Sequence, residues 1–245
     1  LDSPSERFPL IQLKNISFGF PGARPVLRGL NLTLTASDRI GLVAPNGSGK
    51  TTLFHLIMGL MTPSAGTVEL FGKPMKSESD FGTVRTRIGL LFQDADDQLF
   101  SPTVLEDVAF GPLNQGKSPA EAVDIARRTL AFLGLEGFEE RVTFKLSGGE
   151  KRMISLATVL ALQPEVLLLD EPTTGLDRRT EARLVKILDD LDLPLMIISH
   201  NPEFLNATVK NIYTMRDGKI LFDEEYHIHH YSHSHPRGRE PHRHD

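Results

Sequence analysis

One stretch of twelve residues limits this chain more than any other. Gly41-Leu-Val-Ala-Pro-Asn-Gly-Ser-Gly-Lys-Thr-Thr52 follows a short apolar run and leads into an amphipathic segment. A strand that ends in glycines and opens a helix at Lys-Thr brings inward-facing amides and a helix N-terminus to one point, and that combination binds phosphate. Gly47 and Gly49 let the backbone turn its N–H groups inward. Lys50 has the reach for β- and γ-phosphates, and Thr51 offers a hydroxyl to Mg²⁺. Asn46, Ser48 and Thr52 complete the loop. The strict pattern places glycine where this chain has Ala44, a departure that costs on the order of 1 kcal/mol if the position requires positive φ.

Such a loop needs a sheet behind it, and the remaining pattern supplies one. Ile40–Ala44, Ile88–Phe92, Val166–Leu169 and Leu195–Ile198 are short apolar runs that suit strands buried on both faces of a parallel sheet. Ile11–Phe20 and Leu27–Leu34 alternate instead and predict a mixed or antiparallel edge. Helical spacing relates Leu53, Leu56, Ile57 and Leu60, then Met153, Leu156, Ala157 and Leu160, then Leu184, Ile187, Leu188 and Leu191. Ser118–Leu133 opens Ser-Pro-Ala-Glu, a helix start signal. The alternation predicts an α/β fold: a phosphate-loop core with a mostly parallel sheet and an antiparallel β edge. Between Gln93 and Pro164 no convincing strand occurs, so a helical subdomain over about residues 94–164 is expected inside a globular unit spanning 1–223.

Composition removes several function classes. There is no cysteine, which excludes disulfides, thiol catalysis and thiolate metal sites. The net charge of −5 gives no basic field for nucleic acid. No apolar run exceeds six residues, against about 20 for a membrane span. No signal-peptide pattern follows Leu1.

Two further strand ends carry chemistry. Val166-Leu-Leu-Leu-Asp-Glu-Pro172 ends in adjacent carboxylates. Asp170 is placed to hold Mg²⁺ through water, and Glu171 is a candidate general base for an attacking water. Leu193-Pro-Leu-Met-Ile-Ile-Ser-His200 ends in His200. Ligands in open α/β sheets bind beyond the carboxyl ends of strands, so Lys50, Asp170, Glu171 and His200 are expected in one site.

Leu146-Ser-Gly-Gly-Glu150 stands just before an amphipathic helix, and with the elements above it resembles the signature of ABC-type ATPases. The usual signature ends in Gln, where this chain has Glu150. The resemblance spans Ile11 to Phe222 in the family's order. It implies that Phe20 stacks on adenine, that Gln93 is the lid-loop glutamine near Mg²⁺, that Asp177 lies in a dimer-contact loop, and that His200 senses the γ-phosphate. It also implies head-to-tail pairing, with ATP and Mg²⁺ between the loop of one copy and Ser147, Gly148, Gly149 and Glu150 of the other. Ser-Gly-Gly-Glu equally fits a capping box, and the two readings are compatible. Ser147 would cap its own helix without nucleotide and turn to the γ-phosphate of a facing copy on closure.

Phe92 to Leu113 is similar to the corresponding run of energy-coupling-factor transporters, most of all their cobalt/nickel group. That similarity implies a short helix from Asp97 onward, whose groove holds coupling helices of a membrane subunit. Leu99, Phe100, Val104 and Leu105 would be its apolar contacts, and Asp94, Asp96 and Asp97 would pair with arginine. The alternative is that Leu99 and Phe100 pack inside the subdomain.

Residues 224–245 are rich in histidine and poor in apolar residues. His227, His229, His230, His233 and His235 are dense enough to offer several imidazoles to one transition-metal ion. An affinity tag is the plain alternative, but the run is interrupted by Ile, Tyr and Ser, which favours a native tail. Taken together, the expectation is the ATPase subunit of a cobalt or nickel importer. It would pair as a homodimer on the cytoplasmic face of the membrane with integral-membrane coupling and substrate-binding subunits. A vitamin or other solute importer, a soluble mechanical ATPase and a metal-binding regulator are the alternatives.

Overall fold

The computed structural model describes residues 9–45 and 47–222. Its main sheet has six strands: β3 (Arg39–Val43), β6 (Ile88–Leu91), β7 (Val166–Asp170), β8 (Leu195–Ile198), β9 (Asn211–Arg216) and β10 (Lys219–Phe222). Their order is β10-β9-β3-β8-β7-β6, with every pairing parallel except β9 with β10. Every residue of β6, β7 and β8 is buried, which is why these strands read as unbroken apolar runs.

The antiparallel strands form a second sheet of four. β1 (Pro9–Phe18) lies between β2 (Leu27–Thr35) and β4 (Ala65–Leu70), and β5 (Lys73–Pro74) pairs with β4 at the edge. Leu27, Leu30, Leu32 and Leu34 of β2 join Ile11, Leu13 and Ile16 of β1 in one core. That core also holds Leu53, Phe54, Leu56 and Ile57 of α1 (Lys50–Ile57) and Leu168 of β7. Leu167 and Leu169 of the same strand belong to the core on the opposite face. Alternation along β7 therefore serves two cores at once.

The second core is built by helices. Between β6 and β7 lie α3 (Val104–Asn114), α4 (Pro119–Phe132) and α5 (Gly148–Leu160), after a short α2 (Glu78–Gly82) that precedes β6. Beyond β7 come α6 (Arg178–Asp190) and α7 (Pro202–Thr208). Helices α3, α4 and α5 each begin with a capping box: Thr103 with Glu106, Ser118 with Glu121, Ser147 with Glu150. Ala122, Ala126 and Leu130 form the buried seam of α4. The only bridge in this insertion among the described residues is Thr103 with Val142. No helix among them is long and apolar enough to cross a membrane.

Several expectations change. β1 ends at Phe18, two residues early, which leaves Phe20 outside the strand. No helix starts at Asp97. A single 3₁₀ turn spans Ala95–Asp97, capped by Asp94, and the α-helix waits for the cap at Thr103. Ser101-Pro102 explains the delay, because proline pushes the residue before it out of the helical region. Leu99 and Val104 are 9% and 0% exposed within the helical core, and Leu105 is partly buried against it. Of the four apolar contacts expected for a partner helix, only Phe100 is open, at 66% exposure. Asp96 is already paired with Lys151 at 2.5 Å.

Leu168→Ala removes a fully buried side chain shared by the central sheet and α1. It should destabilise the fold by about 2–5 kcal/mol, read from denaturant unfolding.

Candidate functional site

The carboxyl ends of β3, β7 and β8 are neighbours in the sheet, so the residues just past each are brought to one place. After β3 the chain turns through Gly47 (φ 77°) and Gly49 (φ 98°) into α1. A Cβ on Gly49 would sit 2.4 Å from Val26 Cγ1, so position 49 needs glycine for both its φ and its space. Ala44 is not among the residues with positive φ; it is buried, and its departure from the glycine pattern carries no backbone strain. Asn46 lies outside the described residues, as do the tail histidines.

Lys50 is nearly buried. Its Nζ donates to the Ala44 carbonyl at 2.9 Å and lies 2.6 Å from His200 Nε2 and 3.7 Å from Glu171 Oε1. Glu171 follows β7 with φ 48°, a left-handed backbone that is costly for a glutamate and is typical of functional sites. Its Oε2 accepts the His200 backbone N–H at 3.3 Å, and its Oε1 is 3.4 Å from His200 Nε2. Lys50, Glu171 and His200 thus form one cluster, as expected from three separate strand ends.

Thr51 and Asp170 meet directly. The Thr51 hydroxyl donates to Asp170 Oδ2 at 2.9 Å. Asp170 is 2% exposed, and burial raises its carboxyl above the ordinary value, opposed mainly by the Thr51 hydroxyl. Among the described residues its Oδ1 has no hydrogen-bond partner, and neither has the buried Ser48 Oγ. A hydroxyl, a carboxylate and an unsatisfied buried oxygen are the donors that a hard divalent cation takes, so these residues fit Mg²⁺.

A cleft of about 390 Å³ runs along this cluster, lined by Phe20, Val26, Gly47, Gly49, Lys50, Thr51, Thr52 and Gln93. Phe20 is half exposed there, its ring edge-on to Phe18 at 5.2 Å. Gln93 is exposed, and its side chain makes no hydrogen bond among the described residues. None of the signature residues lines this cleft. Gly148 instead borders a neighbouring cleft of about 660 Å³, shared with Thr51, His55, Gln93, Asp94 and Gly175.

The signature loop has its own local order. Ser147 caps α5 by accepting from Glu150 N–H at 3.3 Å, and Glu150 Oε2 accepts Ser147 N–H at 2.8 Å. A Cβ on Gly149 would stand 3.0 Å from the Gly175 carbonyl, so this glycine lets the loop before α6 pack against the start of α5. Asp177 caps α6 through Thr180 N–H at 2.7 Å, which also holds its carboxyl below the ordinary value.

Arg152 is a residue that the sequence pattern did not single out. It is 4% exposed on α5 and donates to the carbonyls of Phe92 and Gln93. Burial lowers its pKa. Its one sequence signal is a cation inside an otherwise apolar helix face. Gln98 adds a second tie, donating to Ser155 O and Thr158 Oγ1 while its own carbonyl oxygen accepts Phe92 N–H.

The chain matches the model of the ABC transporter family over residues 27–174. A Nitratidesulfovibrio vulgaris protein, named provisionally as an ABC transporter ATP-binding protein, is 50% identical over 97% of this chain and 90% of its own length. The energy-coupling factor transporter ATP-binding protein EcfA of Methanocaldococcus jannaschii is 40% identical over 86% of this chain and 77% of its own. Among solved structures, CbiO1 of Clostridium perfringens, part of the ABC transporter complex CbiONQ, superposes with a TM-score of 0.78 at 29% identity, covering 88% of each chain.

Asp170→Asn keeps the acceptor for Thr51 and removes a buried charge whose ionised form opposes folding as pH rises through its elevated pKa. The variant should melt at a higher temperature, while losing Mg²⁺-dependent nucleotide binding. Calorimetric melting with and without Mg-nucleotide checks both.

Proposed function

This chain belongs to the ABC transporter family as an ATP-binding subunit whose ATP hydrolysis is coupled to transport, and from that premise we propose that it powers import of cobalt or nickel through partner membrane subunits. The observation carrying the ATP chemistry is the Lys50–Glu171–His200 cluster beside Thr51 and Asp170. Adenine stacks on Phe20, and the triphosphate lies over the amides after Gly47 and the N-terminus of α1. Lys50 then exchanges its contact with His200 for phosphate oxygens. Glu171 accepts the proton of the attacking water, and His200 orients the terminal phosphate. Thr51 and Asp170, with Gln93, would hold Mg²⁺, which would supply neutralisation of the charge that develops on the phosphates.

One copy holds half of this machinery against each nucleotide. Gly148 and Gly149 stand at the N-terminus of α5 and do not line the cleft that Lys50 lines, so a second copy completes the site. The chain carries both halves, which favours a homodimer.

Membrane subunits dock beside the lid loop. Phe100 and Phe110 are exposed and stacked edge-on at 4.7 Å over a cleft of about 270 Å³ that Met58, Leu60, Phe92 and Leu162 also line. Such a groove suits an amphipathic coupling helix, and the exposed Asp97, in the turn that precedes Phe100, suits an arginine. On this reading the subunit sits peripherally, on the cytoplasmic face of the membrane. The cobalt or nickel cargo rests on the similarity of the lid run and on the tail histidines His227, His229, His230, His233 and His235. CbiO1 comes from a named ABC transporter complex, and none of these three names states an ion.

Glu171→Gln tests the catalytic part. It should lower turnover by about 10²–10⁴-fold and leave a stable dimer with Mg-ATP in sedimentation; unchanged turnover contradicts the assignment. Removing residues 224–245 should leave ATPase activity intact and weaken Co²⁺ or Ni²⁺ binding in calorimetry. A full chain that takes up neither metal removes the tail from the account. Membrane subunits that co-purify with the chain and carry a vitamin would correct the cargo alone.

A further inference from the structure

The signature's departure from the family pattern has a partner in this chain. Glu150 Oε1 accepts a hydrogen bond from Arg141 Nη1 at 2.9 Å while its Oε2 caps Ser147. The Arg141 guanidinium also lies 3.7 Å over the ring of Phe138. Four capping boxes occur among the described residues, at Ser77, Thr103, Ser118 and Ser147, and only the last has an arginine on its carboxylate.

The electrostatic consequence concerns phosphate. A helix N-terminus favours any anion, and a carboxylate in its first turn satisfies the same field that a phosphate would use. Glu150 therefore competes with the triphosphate that the proposed function brings to Gly148 and Gly149, and it also repels it. Its contacts with Ser147 and Arg141 hold the carboxyl below its ordinary value, so the charge is present at neutral pH. A glutamine would cap without charge.

We propose that Arg141 is a positioning residue for ATP-driven pairing: it cancels the charge of Glu150, so that the signature glycines of one copy accept the triphosphate held by the other. The proposal rests on the composite-site reading above. Arg141 is half exposed, so its replacement should leave the fold intact, which melting of the variant checks.

The test measures dimer dissociation by sedimentation at saturating Mg-ATP, in the Glu171→Gln background. Arg141→Ala should weaken the dimer on the order of tenfold, as expected for one uncancelled charge near a triphosphate in a partly screened site. Arg141→Gln, which keeps the stem on Phe138, should weaken it similarly. Raising ionic strength should narrow both deficits. Glu150→Gln alone should not weaken pairing, and Arg141→Ala with Glu150→Gln should return it close to the parent. A dimerising parent with an unaffected Arg141→Ala variant, or a double variant as weak as Arg141→Ala, overturns this role for Arg141. A parent that stays monomeric overturns the composite-site reading, and this inference with it.

Discussion

A buried lysine ammonium needs partners, and here it has them only because three parallel strands end side by side. Lys50 is held by the Ala44 carbonyl at the end of β3, by His200 past β8 and by Glu171 past β7. Each belongs to a different strand, and the order β3-β8-β7 makes them neighbours. Slipping any of these strands by one residue would exchange the two cores that Leu167 and Leu168 serve and would pull the cluster apart. Sheet register and site geometry are therefore the same constraint. The strained backbone of Glu171 and the unsatisfied Oδ1 of Asp170 mark where the fold gives up stability for a ligand.

The helical insertion is attached to that site at a narrow place. Arg152 grips the backbone at Phe92 and Gln93, Gln98 bridges Phe92 to the middle of α5, and Lys151 pairs with Asp96. The lid loop is thus tied to the signature helix by side chains of both. The loop also leads into the exposed pair Phe100 and Phe110. On the proposed docking, a membrane subunit pressing on that pair would act on the element that carries Gln93, a physical route from that subunit to the nucleotide.

Much of this was legible in residues 40 to 52, 166 to 171 and 195 to 200, because parallel strands buried on both faces leave unbroken apolar runs with chemistry at their ends. The helix start at Ser118 and the capping box at Ser147 were equally plain, since a cap is a local matter. What escaped was non-local. β4, β5, β9 and β10 are short or half-exposed, and they gain their identity only from the strands they pair with. Leu99 and Val104 looked like an outward stripe, but they are buried: the helix begins at Val104, after its cap Thr103, and not at Asp97. Arg152 and Arg141 find their partners through tertiary contact, across 59 and 9 residues of chain.

Subunit complementation tests most directly whether each nucleotide lies between two copies. Lys50→Ala disables the loop, and Gly148→Arg fills the signature, where open space lets the larger side chain project without disturbing the fold. Each variant alone should be nearly inactive. Mixed, the two should regain ATPase activity, because one of the two shared sites then carries both lesions and the other carries neither. A mixture as inactive as its components would mean that loop and signature serve the same nucleotide within one chain, and the paired account would be wrong.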